Sequence, residues 1–201
     1  MIKVLIADDQ AMIRGAFAAL LGMEPDLTVV AQVGSGDEVL PAALEHRPDV
    51  ALLDIQMPGL DGLAVASVLA DRLPDCRVVI LTTYGRPGYL RRALEAGAVG
   101  FLVKDAPAER LIDAIRRVHG GLRVVDPELA VESLSLGESP LTGRERDVLT
   151  AAADGGTVAE IARKMYLSEG TVRNHLSAAI GKTGARTRAD AVRIATDRGW
   201  L

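Results

Sequence analysis

Five short apolar runs, at residues 2–7, 27–33, 50–53, 77–82 and 100–103, recur through the first 119 residues with helical patterns between them. Strands buried on both faces read as near-continuous apolar stretches, and strands that alternate with helices pair in parallel through crossovers. The expected fold is therefore α/β, a doubly wound five-stranded parallel sheet. The first helix places Ile13, Phe17, Leu20 and Leu21 on one face, leaving Arg14 off it and a polar face toward solvent. Leu111, Ile112, Ile115 and Val118 make a second apolar face that has to cover the sheet. Turns are expected at Pro58-Gly59 and Asp61-Gly62 and at Arg86-Pro87-Gly88, and Ala96-Gly97 ends the helix before the fifth strand.

The periodicity fades through Gly120-Gly121, Asp126-Pro127 and Ser133 to Ser139, so residues 120–139 read as a linker with a short helical stretch near Pro127 to Leu134. No strand pattern follows Leu141. Thr142 with Glu145 is a capping box that opens a helix whose Val148 and Leu149 face inward, and Ser168 is a second N-cap candidate. Helices at about 157–166 and 169–182, joined by a tight turn at Tyr166 to Ser168, have helix-turn-helix proportions. The expected organisation is an α/β domain over residues 1–119, the linker, and a small all-α domain over 140–201.

Charge divides along the same boundary. Residues 1–139 hold 13 Lys and Arg against 20 Asp and Glu, whereas residues 140–201 hold 10 against 7. An acidic half and a basic tail imply different partners. Cys76 is the single cysteine, which excludes a disulfide within the chain, fits a reducing compartment and suits a small buried apolar residue. Met1 to Asp9 lacks the features of a signal peptide, and no apolar run approaches the ~20 residues of a membrane span, so the expected location is the cytoplasm, with no membrane insertion.

Function is written at the strand ends. Asp8 and Asp9 follow the first run, Asp54 the third, Thr82 closes the fourth, and Lys104 follows the fifth. In an open parallel sheet these ends meet on one edge, where ligands bind. Carboxylates there can hold a hard divalent cation through oxygen, and a lysine and a hydroxyl can stabilise a bound phosphoryl group.

These five positions, with Leu52-Leu53-Asp54-Ile55-Gln56-Met57-Pro58-Gly59 and Gly100-Phe101-Leu102-Val103-Lys104, resemble a two-component receiver domain. The tail, with Leu141-Thr142, Arg144-Glu145, Glu160-Ile161-Ala162, Ser168, Thr171-Val172 and His175, is similar to the LuxR-type helix-turn-helix of NarL/FixJ response regulators. Around Thr82 to Tyr89 the chain looks most like regulators of membrane-lipid desaturases. The resemblance implies a flavodoxin-like receiver in which Asp54 is the phosphoacceptor, taking a phosphoryl group from a histidine kinase as an acyl phosphate. It implies Mg²⁺ held by Asp9, Asp54 and the Gln56 backbone carbonyl, with Asp8 acting largely through water, and Lys104 and Thr82 contacting phosphoryl oxygens. Phe101 matches the aromatic switch of such receivers; plain core packing is the alternative for this residue. Phosphorylation would favour a homodimer, around either the fourth helix and fifth strand or the first and fifth helices.

In the DNA-binding half, the helix from about 169 to 182 buries Val172, Leu176 and Ile180 and leaves Arg173, Asn174 and Ser177 outward, where they can reach base edges of promoter DNA. Thr171, His175, Lys182 and Arg188 suit phosphates. Two departures from the family pattern stand out: Lys182-Thr183-Gly184 has threonine where relatives carry a core leucine, which is expected to loosen the junction with the last helix, and Gly143 and Gly170 fall in or near first turns. The last helix, Thr187 to Arg198 with Ala191, Val192 and Ile194, matches a dimerising segment of relatives or simply closes the small core, and Trp200 is expected to anchor the end of the chain.

Two rival readings fail on particular residues. A metal-dependent phosphohydrolase of the haloacid-dehalogenase type needs a second acid two residues after its nucleophile, and here that position is Gln56. A DNA-binding regulator whose receiver is never phosphorylated would have no use for the intact set of five. The expected function is that of a transcription factor of a two-component system, not an enzyme.

Overall fold

A computed structural model describes residues 1–83, 87–135, 139–153 and 155–201. Its sheet contains β1 (Ile2–Ala7), β2 (Leu27–Val33), β3 (Val50–Asp54), β4 (Arg77–Thr82), β5 (Gly100–Val103) and β6 (Val124–Val125), all parallel, in the order β2-β1-β3-β4-β5-β6. The expectation of five strands is corrected to six. β6 was invisible in the sequence because two residues carry no periodicity; it forms by pairing Val124 with Gly100 and Val125 with Phe101. Arg110 reinforces this join through a 3.3 Å contact with Asp126. The start of the expected linker thus belongs to the sheet, and the first compact unit reaches Ala130 while the second includes Val131 to Leu201. The expected turn at Arg86-Pro87-Gly88 and part of the stretch likened to desaturase regulators fall on residues 84–86, outside the described residues.

Between the strands lie α1 (Ala11–Leu21), α2 (Gly36–His46), α3 (Gly62–Arg72), α4 (Pro87–Glu95) and α5 (Ala108–His119). Phe17, Leu20 and Leu21 of α1 and Leu111, Ile112, Ile115 and Val118 of α5 share one cluster with alternate strand residues such as Val4, Ile6, Leu52 and Leu102. Alternation follows from the two-residue period of a strand, which sends neighbours to opposite faces. The outward face of α1 is not polar: Met12 is 85% exposed beside exposed Ala16 and Ala19. Arg14, expected in solvent, instead folds back to donate to the Asp8 carbonyl oxygen at 2.5 Å. Cys76 is buried, which pushes its thiol up to about 12.

After α6 (Pro127–Ser135), which spans the division at Ala130, come α7 (Gly143–Ala153), α8 (Val158–Met165), α9 (Glu169–Thr183) and α10 (Arg188–Asp197) of the second unit. The Thr142–Glu145 box is formed, with Thr142 N donating to Glu145 at 2.7 Å and Glu145 N to Thr142 Oγ1 at 3.3 Å. Ser168 caps α9 by accepting from Thr171 N at 3.0 Å. A further box, Thr157 with Glu160, opens α8. Val148, Leu149, Val172, Leu176 and Ala191 are buried in one small core, with Ile180, Val192 and Ile194 packed against it. Trp200 joins that core under the Arg198 guanidinium, 5.0 Å from the ring centroid.

Thr183 does not leave a buried polar group without a partner. Its hydroxyl donates to Ala179 O at 2.8 Å and Ile180 O at 3.1 Å, so the last turn of α9 closes on itself. Gly184 then ends the helix in the left-handed region at φ 69°, where a side chain would be strained. Among the described residues, no helix is long and apolar enough to cross a membrane.

Candidate functional site

The strand order reverses between β1 and β3, so a crevice opens at their carboxyl ends, the position where open α/β sheets bind ligands. Asp8 directly follows β1 and Asp54 is the last residue of β3. Both are almost fully buried, at 1% and 6% exposure, while Asp9 beside them is exposed. The Lys104 ammonium reaches between them, 2.7 Å from Asp8 Oδ2 and 3.1 Å from Asp54 Oδ2, with 6% of its side chain exposed. A buried carboxylate is costly without a cation or donor, and the remaining oxygens are served by the backbone. Asp8 Oδ1 accepts from Gln10 N at 2.9 Å and Asp54 Oδ1 from Ile55 N at 2.8 Å.

Lys104 is delivered by β5 and its loop, whose backbone is tied to β4 by a 2.7 Å bond from Lys104 N to the Thr82 carbonyl oxygen. The same bond places Thr82, buried at the end of β4, on the edge that holds the acids. Phe101 is fully buried in β5, with Ile80 on one side in register and Val125 on the other. On the far side of Asp54, α3 starts close: Gly62 N donates to Ile55 O at 2.9 Å, and a Cβ on Gly62 would collide with the Asp54 carbonyl oxygen. Gln56 is exposed in this loop.

Carboxylate oxygens of Asp8, Asp9 and Asp54 all lie within 4.8 Å of one another. Three carboxylates against one ammonium leave an excess of two negative charges, which suits a divalent cation with oxygen ligands. Burial pushes the Asp54 carboxyl above its ordinary range; the charge and hydrogen bond of Lys104 pull the other way and lose.

That direction fixes a pH dependence. A folded value raised above the unfolded one, near 3.8, gives a stabilising contribution that is whole below 3.8 and is lost as pH rises through the folded value. In EDTA, the thermal midpoint of Asp54→Asn relative to wild type is therefore expected to increase as pH goes from about 4 to about 7. A flat or shrinking difference over that span would contradict the raised carboxyl.

In the helical unit, Arg173, Asn174 and Ser177 are exposed along one side of α9, and Thr171 and His175 are half-buried beside them. Arg173 meets Glu169 of the same helix at 2.7 Å, both side chains exposed. Two expected phosphate-facing residues have partners within the unit. Lys182 Nζ lies 2.7 and 2.9 Å from the two carboxylate oxygens of Glu145, and Arg188 donates to Gly156 O at 2.6 Å. Glu145 is a capping and motif residue in the sequence; its charge is the signal that a cation has to come to it. For Arg14 the sequence carries no such signal, since nothing in a helical period marks a bond to a backbone carbonyl.

Residues 4–116 match the family model for the response regulator receiver domain, and residues 139–195 match that for bacterial regulatory proteins of the luxR family. The chain belongs to the response regulators. The regulator is 46% identical over 201 residues to the uncharacterized transcriptional regulatory protein YvfU of Bacillus subtilis (strain 168), covering 100% of both chains. It is 42% identical to the transcriptional regulatory protein DesR of the same organism, again with 100% of both covered. Among solved structures it is similar to the response regulator ChrA of a heme-sensing two-component system, with a TM-score of 0.59 and 33% identity over 100% of this chain and 98% of that one. It is a two-component response regulator, a receiver joined to a LuxR-type DNA-binding domain.

Proposed function

We propose that Asp54 is the phosphoacceptor and that its phosphorylation by a sensor histidine kinase, in the cytoplasm, promotes dimerisation and binding to promoter DNA. The observation that carries this reading is the buried Asp54 carboxylate at the end of β3, 3.1 Å from Lys104 and grouped with two further acids. An Asp54 oxygen attacks phosphorus, the bond from phosphorus to the kinase histidine breaks, and an acyl phosphate remains. Lys104 pairs with a phosphoryl oxygen, and Thr82 donates to another. Asp8, Asp9, Asp54 and the Gln56 carbonyl would hold Mg²⁺, which when bound offsets the negative charge gathered there. Gln56 offers no acid or base to speed hydrolysis, so the modification persists. Phosphate at Asp54 draws Lys104 from Asp8 and Thr82 inward, and Phe101 follows the space this frees.

Within this reading residues 1–119 receive the signal, 120–139 relay it and 140–201 bind DNA. Arg173, Asn174 and Ser177 of α9 read base edges, Thr171 and His175 contact phosphates, and Arg188 keeps its charge because a carbonyl cannot neutralise it. Incubation of the full chain with acetyl phosphate and Mg²⁺ is expected to raise the dimer fraction and to tighten DNA binding by about 5- to 150-fold, the usual span of coupling between sites. Binding that is unaltered while Asp54 is labelled would remove the proposed link between the two halves.

A further inference from the structure

We propose that Lys182 is a positioning residue of the recognition helix, its ammonium committed to the buried Glu145 carboxylate and so withheld from the DNA backbone. The proposal rests on the reading that α9 contacts DNA. Glu145 lies in the first turn of α7 with 8% of its side chain exposed, and Lys182 lies in the last turn of α9 with 39% exposed. Each charge sits at the helix end whose dipole favours it. The carboxylate receives the ammonium at 2.7 and 2.9 Å and Thr142 N at 2.7 Å, and the Lys182 contact holds it below the usual carboxylate range.

A lysine moved outward to a phosphate would leave this carboxylate buried with only the backbone of Thr142. Stripping a buried carboxylate of its cation costs far more than an exposed, screened ammonium–phosphate contact returns. The balance therefore keeps Lys182 on Glu145. α7 and α9 pack against each other, so the tie fixes the rotation of α9 and with it the direction in which Arg173, Asn174 and Ser177 point. The neighbouring Thr183, bonded back into its own helix, adds no link to α7 that could substitute.

The test uses the full chain, phosphorylated with acetyl phosphate and Mg²⁺, against a duplex selected from a random pool by the wild-type protein and against an unselected duplex. Lys182→Met is expected to keep the slope of log affinity against log salt within ~0.3 of wild type, since no phosphate partner is lost. Its preference for the selected duplex should fall about tenfold, as for one misread base pair. Amides of the last turn of α9 should exchange faster. Lys182→Arg, which keeps a cation within reach of the Glu145 carboxylate, should retain most of the preference. A slope shallower by ~0.9, with equal losses on both duplexes, would place Lys182 on a phosphate and overturn the proposal. Arg173→Ala, run alongside, reports on base reading itself: an undiminished preference there removes that role and leaves the salt slope of Lys182→Met to decide.

Discussion

Asp54→Ala protein exposed to acetyl phosphate and Mg²⁺ is expected to carry no acid-stable or acyl-phosphate label, and its DNA affinity should stay at the unphosphorylated level. Nucleophilic attack needs an oxygen held close to the groups that neutralise the incoming phosphoryl; Asp54 has the Lys104 ammonium at 3.1 Å, and Asp8 and Asp9, within 4.8 Å, are the acids that would hold a divalent cation beside it. Asp8 is less suited to the role because it already holds Lys104 at 2.7 Å and spends Oδ1 on Gln10 N. Asp9 is exposed, and among the described residues no ion pair holds it. Loss of the nucleophile leaves Lys104 paired with Asp8, so the fold should survive. Retained labelling in a folded Asp54→Ala protein would move the acceptor to another residue, and peptide mapping of the label would name it.

Arg173→Ala is expected to cost about 1–3 kcal/mol on the preferred duplex and almost nothing on random DNA. Two contacts compete for this guanidinium. The Glu169 carboxylate holds it at 2.7 Å in the structure, but an exposed pair at this spacing is worth only about 0.3–0.5 kcal/mol. A bidentate contact with guanine is worth more, so Arg173 is expected to exchange Glu169 for a base when DNA is present. Glu169→Gln is a useful companion, because freeing Arg173 should change the preference little. Equal losses on preferred and random duplexes for Arg173→Ala would show that it contacts the backbone.

Much of this was legible in one dimension. The bounds of β1, β2, β4 and β5 coincide with the largely apolar runs, because strands covered by helices need mostly apolar side chains, and β1 and β5 stop where the chain meets a charge, at Asp8 and Lys104. The caps at Thr142 and Ser168 were equally local, each needing only a side chain and an amide three residues on. The misses share one cause. β6 exists only because β5 offers an unpaired edge, Arg14 bends back only because the Asp8 carbonyl lies within its reach, and Thr183 is harmless only because its hydroxyl finds Ala179 O. None of these partners is signalled by a period or a motif.

The amino-acid order by itself determined the class of fold, the division into an acidic α/β half and a basic helical half, and the chemical types gathered at the strand ends. Periodicity and residue chemistry act over a few neighbours, and those features are written at that range. Tertiary structure decided which charges are spent and which remain available. Lys104 sits between two buried acids drawn from separate strands, and Lys182 is held by a carboxylate on another helix. Partners 37 or more residues apart meet only after the chain has folded, and burial then sets how strongly each charge is held.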